Sequence, residues 1–230
     1  MPSPTTIRLA GVELPRIGLG TNRIFDTAEH HEFLRAAVEA GVRHVDTAHL
    51  YTEGASETAI GRALAPFGDD LVVATKGGFD GASPEALRSE IEESLRRLRV
   101  EAIDVYYLHR PDPEVPLEES VGALAEQRDA GRIRHVGLSQ VDVDQIERAR
   151  RIVDIAAVQH HFSLAEQGND DLVSHCTSEG IVFVPFYPLR GVDDAPEGLT
   201  WLLDRSPATL PIPGTLSIEH LRENLAVLTG

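Results

Sequence analysis

Residues 71–108 read LVVATKGGFDGASPEALRSEIEESLRRLRVEAIDVYYL, a predicted strand, helix and second strand in succession. The first apolar, β-branched run is Leu71–Thr75 and the second is Ile103–Leu108. Between them, the Ser-Pro pair at 83–84 is typical of a helix N-terminus, and that helix is predicted to continue to Leu98. A helix between two such strands indicates parallel pairing through a right-handed crossover.

The same alternation runs along the rest of the chain. The predicted strands begin 22 to 32 residues apart, at Ile17–Gly20, His44–Asp46, Leu71–Thr75, Ile103–Leu108, Ile133–Leu138, Ile155–Val158, Ile181–Pro185 and Ala208–Pro211. Helical spacing favours helices at 28–40, 83–98, 117–130, 142–151, 195–205 and 218–228.

Eight such units predict an α/β fold of the (β/α)8 TIM-barrel type, which usually takes about 250 residues. Residues 1–230 are therefore expected to form one barrel domain with shortened loops, and 8–16 to form a β-hairpin before the first barrel strand. A doubly wound open sheet is the alternative. It is disfavoured because the nearest glycine-rich turn, at 18–21, lacks the third glycine of G-x-G-x-x-G.

Composition narrows the class of function. The chain has 21 basic and 37 acidic residues and a formal charge of −16, which disfavours nucleic acid and anionic membranes as partners. No apolar run approaches the ~18 residues of a membrane span, and no secretory signal is visible at the start. The single cysteine, Cys176, excludes an internal disulfide and favours a cytoplasmic location.

Four ionisable side chains are predicted to meet at one end of the barrel. Asp46, Lys76 and His109 each come at or just after the end of a predicted strand, and Tyr51 lies five residues after Asp46. Lys76 is the only lysine among the 21 basic residues. A phenol is a poor acid–base group at neutral pH, and an adjacent ammonium is expected to lower its pKa. This set therefore indicates proton transfer, with Asp46 holding the lysine.

The residues around these positions resemble the aldo-keto reductase family. Residues 46–57, DTAHLYTEGASE, are similar to the family signature D-T-A-x-x-Y-x-x-G-x-S-E, and ATK at 74–76 and YLHRPD at 107–112 resemble its lysine and histidine segments. GLS at 137–139, VQ at 158–159, PLRG at 188–191 and IPGT at 212–215 follow in the family order.

The resemblance implies a metal-free carbonyl reductase that uses a nicotinamide cofactor, usually NADPH, on a small-molecule aldehyde or ketone. It implies that Asp46, Tyr51, Lys76 and His109 are catalytic, with Tyr51 as the general acid. It also implies a cofactor site formed by Gly20, Thr21, Asp46, Ser139, Gln140, Gln159, Phe186, Leu189, Gly191, Gly214, Thr215, His220, Glu223 and Asn224.

Departures from the family pattern qualify these expectations. Gly214 and His220 replace the Lys and Arg often found near the 2′-phosphate, so NADPH is expected but NADH remains an alternative. The short connection after His109 predicts an open substrate pocket. Three other functions remain alternatives: a cofactor-binding sensor subunit, a redox-neutral lyase or epimerase on the same barrel, and a metal-dependent barrel hydrolase.

Overall fold

A computed structural model describes residues 4–229 of the chain. The start of the sequence, on which the expectation of no secretory signal partly rests, lies outside the described residues. The strands are β1 (Thr6–Leu9), β2 (Val12–Pro15), β3 (Leu19–Gly20), β4 (His44–Asp46), β5 (Val72–Gly77), β6 (Ile103–Leu108), β7 (Ile133–Ser139), β8 (Ile155–His161) and β9 (Val182–Phe186).

The helices alternate with the strands from β3 onward. They are α1 (Ala28–Glu39), α2 (Ala55–Leu64), α3 (Pro84–Leu98), α4 (Leu117–Asp129), α5 (Val143–Arg150), α6 (Asp170–Glu179), α7 (Ala195–Arg205) and α8 (Ile218–Ala226), with a 3-10 turn at Tyr51–Gly54. The Ser-Pro start of α3 is confirmed, because the Ser83 hydroxyl accepts the N–H of Ala86.

Strands β3 to β9 form one parallel sheet in chain order, so each of the helices α1 to α6 connects two neighbouring strands. The pairing register aligns Asp46 with Ala74, Lys76 with Tyr107, and Ser139 with Gln159. This register places the polar residues at the carboxyl ends of neighbouring strands at the same end of the barrel. The predicted hairpin is also confirmed, because β1 and β2 pair antiparallel.

The predicted eighth strand, Ala208–Pro211, is wrong as a regular strand, although this segment does close the barrel. It makes an isolated parallel bridge between Phe183 and Thr209. The N–H groups of Leu210 and Ile212 donate to β9, while the carbonyls of Pro211 and Pro213 accept from Gly18 and Gly20 on the β3 side. Proline has no N–H, so the seam toward β3 lacks the return hydrogen bonds of a regular ladder.

An apolar cluster inside the barrel holds this arrangement together. The barrel interior is filled by Val72, Val105, Tyr107, Val182 and their neighbours, and Leu9 and Leu14 of the hairpin pack into the same cluster. Since Val72 and Val182 begin their strands, the hairpin covers the amino-terminal end of the barrel. The carboxyl end is left for the polar residues.

Candidate active site

A cavity of about 640 Å³ opens at the carboxyl ends of the barrel strands. This is the end at which barrel proteins carry their chemistry. All four predicted catalytic side chains line it, Asp46 being also a predicted cofactor residue, together with seven further predicted cofactor residues: Gly20, Thr21, Ser139, Gln140, Gln159, Phe186 and Gly214.

The turn after β4 delivers Tyr51 to this cavity. Thr52, Glu53 and Gly54 all have left-handed φ angles of +49°, +55° and +85°, which reverse the chain into α2. At Gly54 the left-handed φ favours glycine, and a Cβ atom would lie 2.2 Å from the guanidinium carbon of Arg97, which would have to move.

Buried hydrogen bonds at the start of α2 fix that turn. The Ser56 hydroxyl lies 2.8 Å from the hydroxyl of Thr47 and 2.9 Å from that of Thr21. Glu57, which is fully buried, accepts the Thr75 hydroxyl at 2.6 Å and pairs with Arg97 at 3.3 Å. The Ser-Glu pair of the sequence motif thus anchors the strand ends and is not exposed to the cavity.

The Lys76 ammonium is buried between Asp46 and Tyr51. Its Nζ donates to Asp46 Oδ1 at 2.5 Å, to the carbonyl of Thr47 at 2.7 Å and to the Tyr51 hydroxyl at 3.3 Å. The side-chain amide of Gln159 donates to the other Asp46 oxygen. Burial lowers the pKa of Lys76, but the summed attraction of Asp46 and Tyr51 outweighs it and the pKa is raised overall. Lys76 therefore carries its charge at neutral pH.

The pKa of Tyr51 differs from the sequence expectation. Burial raises the pKa of this phenol, and the positive charge of Lys76 opposes the increase without cancelling it. The expected net lowering is therefore wrong. Tyr51 is protonated at neutral pH and holds a proton within reach of the cavity.

His109 lies across the cavity from Tyr51. The two rings are 6.1 Å apart between centroids and nearly perpendicular, at 82°. Burial, helped by the charges of Lys76 and Arg110, lowers the pKa of His109 to about 3. Its Nδ1 is buried and makes no hydrogen bond within residues 4–229. The imidazole, which lines the cavity, is thus neutral.

A model of the aldo/keto reductase family matches residues 16–192. The chain belongs to this family. The match covers more than half the chain and includes all four ionisable residues, so the recognition from sequence, the barrel fold and the oxidoreductase class are confirmed.

Relatives and solved structures agree with this assignment. The reductase is 34% identical to an uncharacterised oxidoreductase of Schizosaccharomyces pombe, over 96% of this chain and 83% of the relative. It is 34% identical to pyridoxine 4-dehydrogenase of Escherichia coli, over 84% of this chain and 79% of the relative. A crystal structure of an aldo-keto reductase from Klebsiella pneumoniae in complex with NADPH superposes with a TM-score of 0.89 at 29% identity, covering 100% of this chain and 91% of the other.

The remaining predicted cofactor residues of the reductase lie outside the cavity lining. They are Leu189, Gly191, Thr215, His220, Glu223 and Asn224. His220 and Glu223 are exposed on α8, whereas Asn224 is buried. Leu189 packs against the cluster of Ile17, Leu199 and Leu203.

Sequence reasoning missed six residues that line the cavity: Asn22, Arg23, Leu50, Phe79, Tyr187 and Ile212. Most follow a predicted strand by two to four residues, whereas the assigned site residues came from the strand ends and the family motifs. Phe79 packs edge-on against His109 with ring centroids 4.9 Å apart. Arg23 donates to the carbonyl of Gly214 at 2.9 Å, joining the first and last loops of the rim.

Metal clusters and membrane-spanning helices characterise other classes of protein. Between residues 4 and 229, no group of three or more His, Cys, Asp or Glu side chains is placed to hold a metal ion. A metal-dependent hydrolase would have to bind its ion through residues such as His44, Asp46, His109 and His161, but His161 pairs with Glu166 at 2.8 Å. Over the same residues, no helix has the length and apolar character to cross a membrane.

Proposed function

We propose that this reductase converts aldehydes or ketones to alcohols with NADPH, and that Asp46, Tyr51, Lys76 and His109 are its catalytic residues. The observation that carries the proposal is the buried ammonium of Lys76, hydrogen-bonded both to Asp46 and to the hydroxyl of Tyr51 at the cavity floor. Bound NADPH would supply the hydride for the carbonyl carbon.

The protein's own side chains supply the proton and orient the substrate. Tyr51 donates its proton to the carbonyl oxygen as negative charge develops there. Lys76, 3.3 Å away, stabilises the phenolate that remains, and Asp46 fixes the lysine. The neutral imidazole of His109 hydrogen-bonds the carbonyl oxygen and orients the substrate.

The cavity wall fits the nicotinamide end of such a cofactor. Ser139 and Gln159 lie side by side in the sheet register and carry a hydroxyl and an amide, which suit a carboxamide group. The flat ring of Phe186 lines the same cavity and suits stacking on the nicotinamide. We assign Gly20, Thr21, Gln140 and Gly214 to the same wall.

The adenosine end is proposed to lie along the last loops, held by Leu189, Gly191, Thr215, His220, Glu223 and Asn224. The NADPH complex of the Klebsiella pneumoniae relative supports the choice of NADPH. A preference for NADH of tenfold or more in kcat/KM would overturn it.

The test is the consumption of NADPH by the purified protein with a panel of aromatic and aliphatic aldehydes. Tyr51→Phe removes the donated proton, so kcat is expected to fall about 10²–10⁴-fold while NADPH affinity, followed by fluorescence titration, stays unchanged. Tyr187→Phe is the matched control, because it removes a hydroxyl from the same cavity without touching Lys76. Equal losses in the two variants would contradict the role of Tyr51.

We also propose that residues 1–230 act as a single barrel domain in the cytoplasm on a small-molecule carbonyl substrate. The sole cysteine, Cys176, is buried, so the fold needs no oxidising compartment. Cell fractionation tests the location.

A further inference from the structure

Arg110 directly follows His109 and is exposed, and it contacts Phe79, which lines the cavity. Its Nε donates to the carbonyl of Phe79 at 2.9 Å, and its guanidinium carbon lies 4.1 Å from the centre of the Phe79 ring. The Phe79 ring centroid is in turn 4.9 Å from that of His109. These two separations place the guanidinium within about 9 Å of the imidazole.

Among the described residues the guanidinium has no acidic partner, unlike most other arginines of this chain. Arg88 and Arg148, for example, pair with carboxylates at 2.7 Å and 2.8 Å. Within residues 4–229, no carboxylate oxygen lies within 4.0 Å of the Arg110 nitrogens. Asp112 lies close enough to interact electrostatically with the Arg110 guanidinium. Its oxygens, however, accept the N–H groups of Ala82 and Glu114, each at 2.9 Å.

The contacts with Phe79 hold the guanidinium in one orientation. The guanidinium carbon lies over the Phe79 ring, and the Nε hydrogen bond to the Phe79 carbonyl restricts rotation of the side chain. The two terminal Nη groups make no hydrogen bond within the described part of the chain. A planar pair of N–H donors in fixed position matches the two oxygens of a carboxylate, and little side-chain entropy remains to be lost on binding.

We propose that Arg110 binds the carboxylate of a substrate that carries an aldehyde at its other end. Phe79, between Arg110 and His109, would contact an apolar spacer, which makes an aromatic or similarly rigid spacer the best match. This inference rests on the proposed carbonyl reduction and names the substrate class for it. Arg110 is a specificity residue in this proposal and takes no part in proton transfer.

The experiment compares 4-formylbenzoate with its methyl ester, since the two have similar size and only the first is charged. The wild-type protein is expected to show a kcat/KM about tenfold higher for the acid. Arg110→Gln is expected to abolish this preference through the KM of the acid, with kcat and the kinetics of the ester within twofold of wild type. Arg8→Gln, which removes an exposed charge from the hairpin at the far end of the barrel, should keep the preference.

Calorimetric binding of the two products, 4-(hydroxymethyl)benzoate and its methyl ester, gives a readout that does not need turnover. Tighter binding of the acid that is lost in Arg110→Gln supports the carboxylate site, even where neither aldehyde is reduced. The absence of aldehyde reduction would count only against the proposed function. Equal affinity for acid and ester in the wild type, or an unchanged preference in Arg110→Gln, overturns the assignment of Arg110.

Discussion

At the scale of single residues, the hydroxyl of Tyr51 experiences two opposing effects. Burial favours the neutral phenol, and the Lys76 ammonium favours the phenolate. Burial is the larger effect, so the proton stays on Tyr51 at neutral pH while the lysine remains ready to stabilise the anion once the proton has left. This combination suits a general acid for reduction better than a strongly acidic phenol would.

The dependence of the rate on pH follows from this balance. The protonated fraction of Tyr51 declines only as pH rises through a pKa above the usual ~10, and His109, with a pKa of about 3, stays neutral from pH 5 upward. We expect kcat/KM for carbonyl reduction to be flat between about pH 6 and pH 9 and to fall only at higher pH. An inflection near pH 6.5 that persists in Tyr51→Phe would contradict the neutral state of His109.

At the scale of secondary-structure elements, close packing of helices depends on a few glycines. Gly61 of α2 faces the end of α3, where a Cβ atom would lie 2.2 Å from the carbonyl oxygen of Arg97. Gly122 of α4 is half-buried, and a Cβ there would meet nothing within 4 Å among the described atoms.

These two positions give opposite predictions for the same substitution. Alanine favours a helix by up to about 1 kcal/mol over glycine. Gly122→Ala should therefore raise the free energy of unfolding by about 0.5–1 kcal/mol, whereas Gly61→Ala should lower it by about 1–3 kcal/mol because α2 and α3 must move apart. Urea unfolding measures both changes, and a stabilised Gly61→Ala would show that the α2–α3 contact is looser than described.

The sequence predicted most elements of the fold because their signals are local. The β-branched strand runs and the Ser-Pro start of α3 needed no tertiary information. No bounds were predicted for helices α2 and α6: α2 contains Gly61 and small polar residues, and no side chain caps the start of α6 at Asn169. The closing segment read as a strand, but its prolines at 211 and 213 prevent a full ladder.

Only part of the candidate site could be predicted from local sequence signals. Residues at strand ends, such as Asp46 and Lys76, could be found because the barrel fold places strand ends together. Arg110 and Phe79 escaped notice because their contact joins two different loops. The net pKa of Tyr51 also required the depth of burial, which no sequence pattern contains.

At the scale of the whole molecule, stability depends on a histidine buried in the barrel. His44 is fully buried, and burial lowers its pKa from 6.5 to about 4. The unfolded chain therefore binds a proton between these values that the folded protein does not bind, so stability is lost as pH falls from 6.5 toward 4.

We expect His44 to account for about 2 kcal/mol of the stability lost between pH 7 and pH 5. In His44→Gln this loss should shrink by that amount, while the exposed His220→Gln should behave as wild type. The measurement is urea unfolding at both pH values, followed by the fluorescence of Trp201 and by circular dichroism. A single barrel domain requires coincident transitions from the two probes, and an unchanged pH dependence in His44→Gln would contradict a neutral buried His44.

The burial of Lys76 has a practical consequence for amine chemistry. Lys76 carries the only lysine ε-amine of the chain, and 1% of the residue is exposed. An acylating reagent thus finds no accessible lysine side chain on the folded protein. Acylation at residue 76, read by mass spectrometry, would report each opening of the barrel as a covalent mark that accumulates with time.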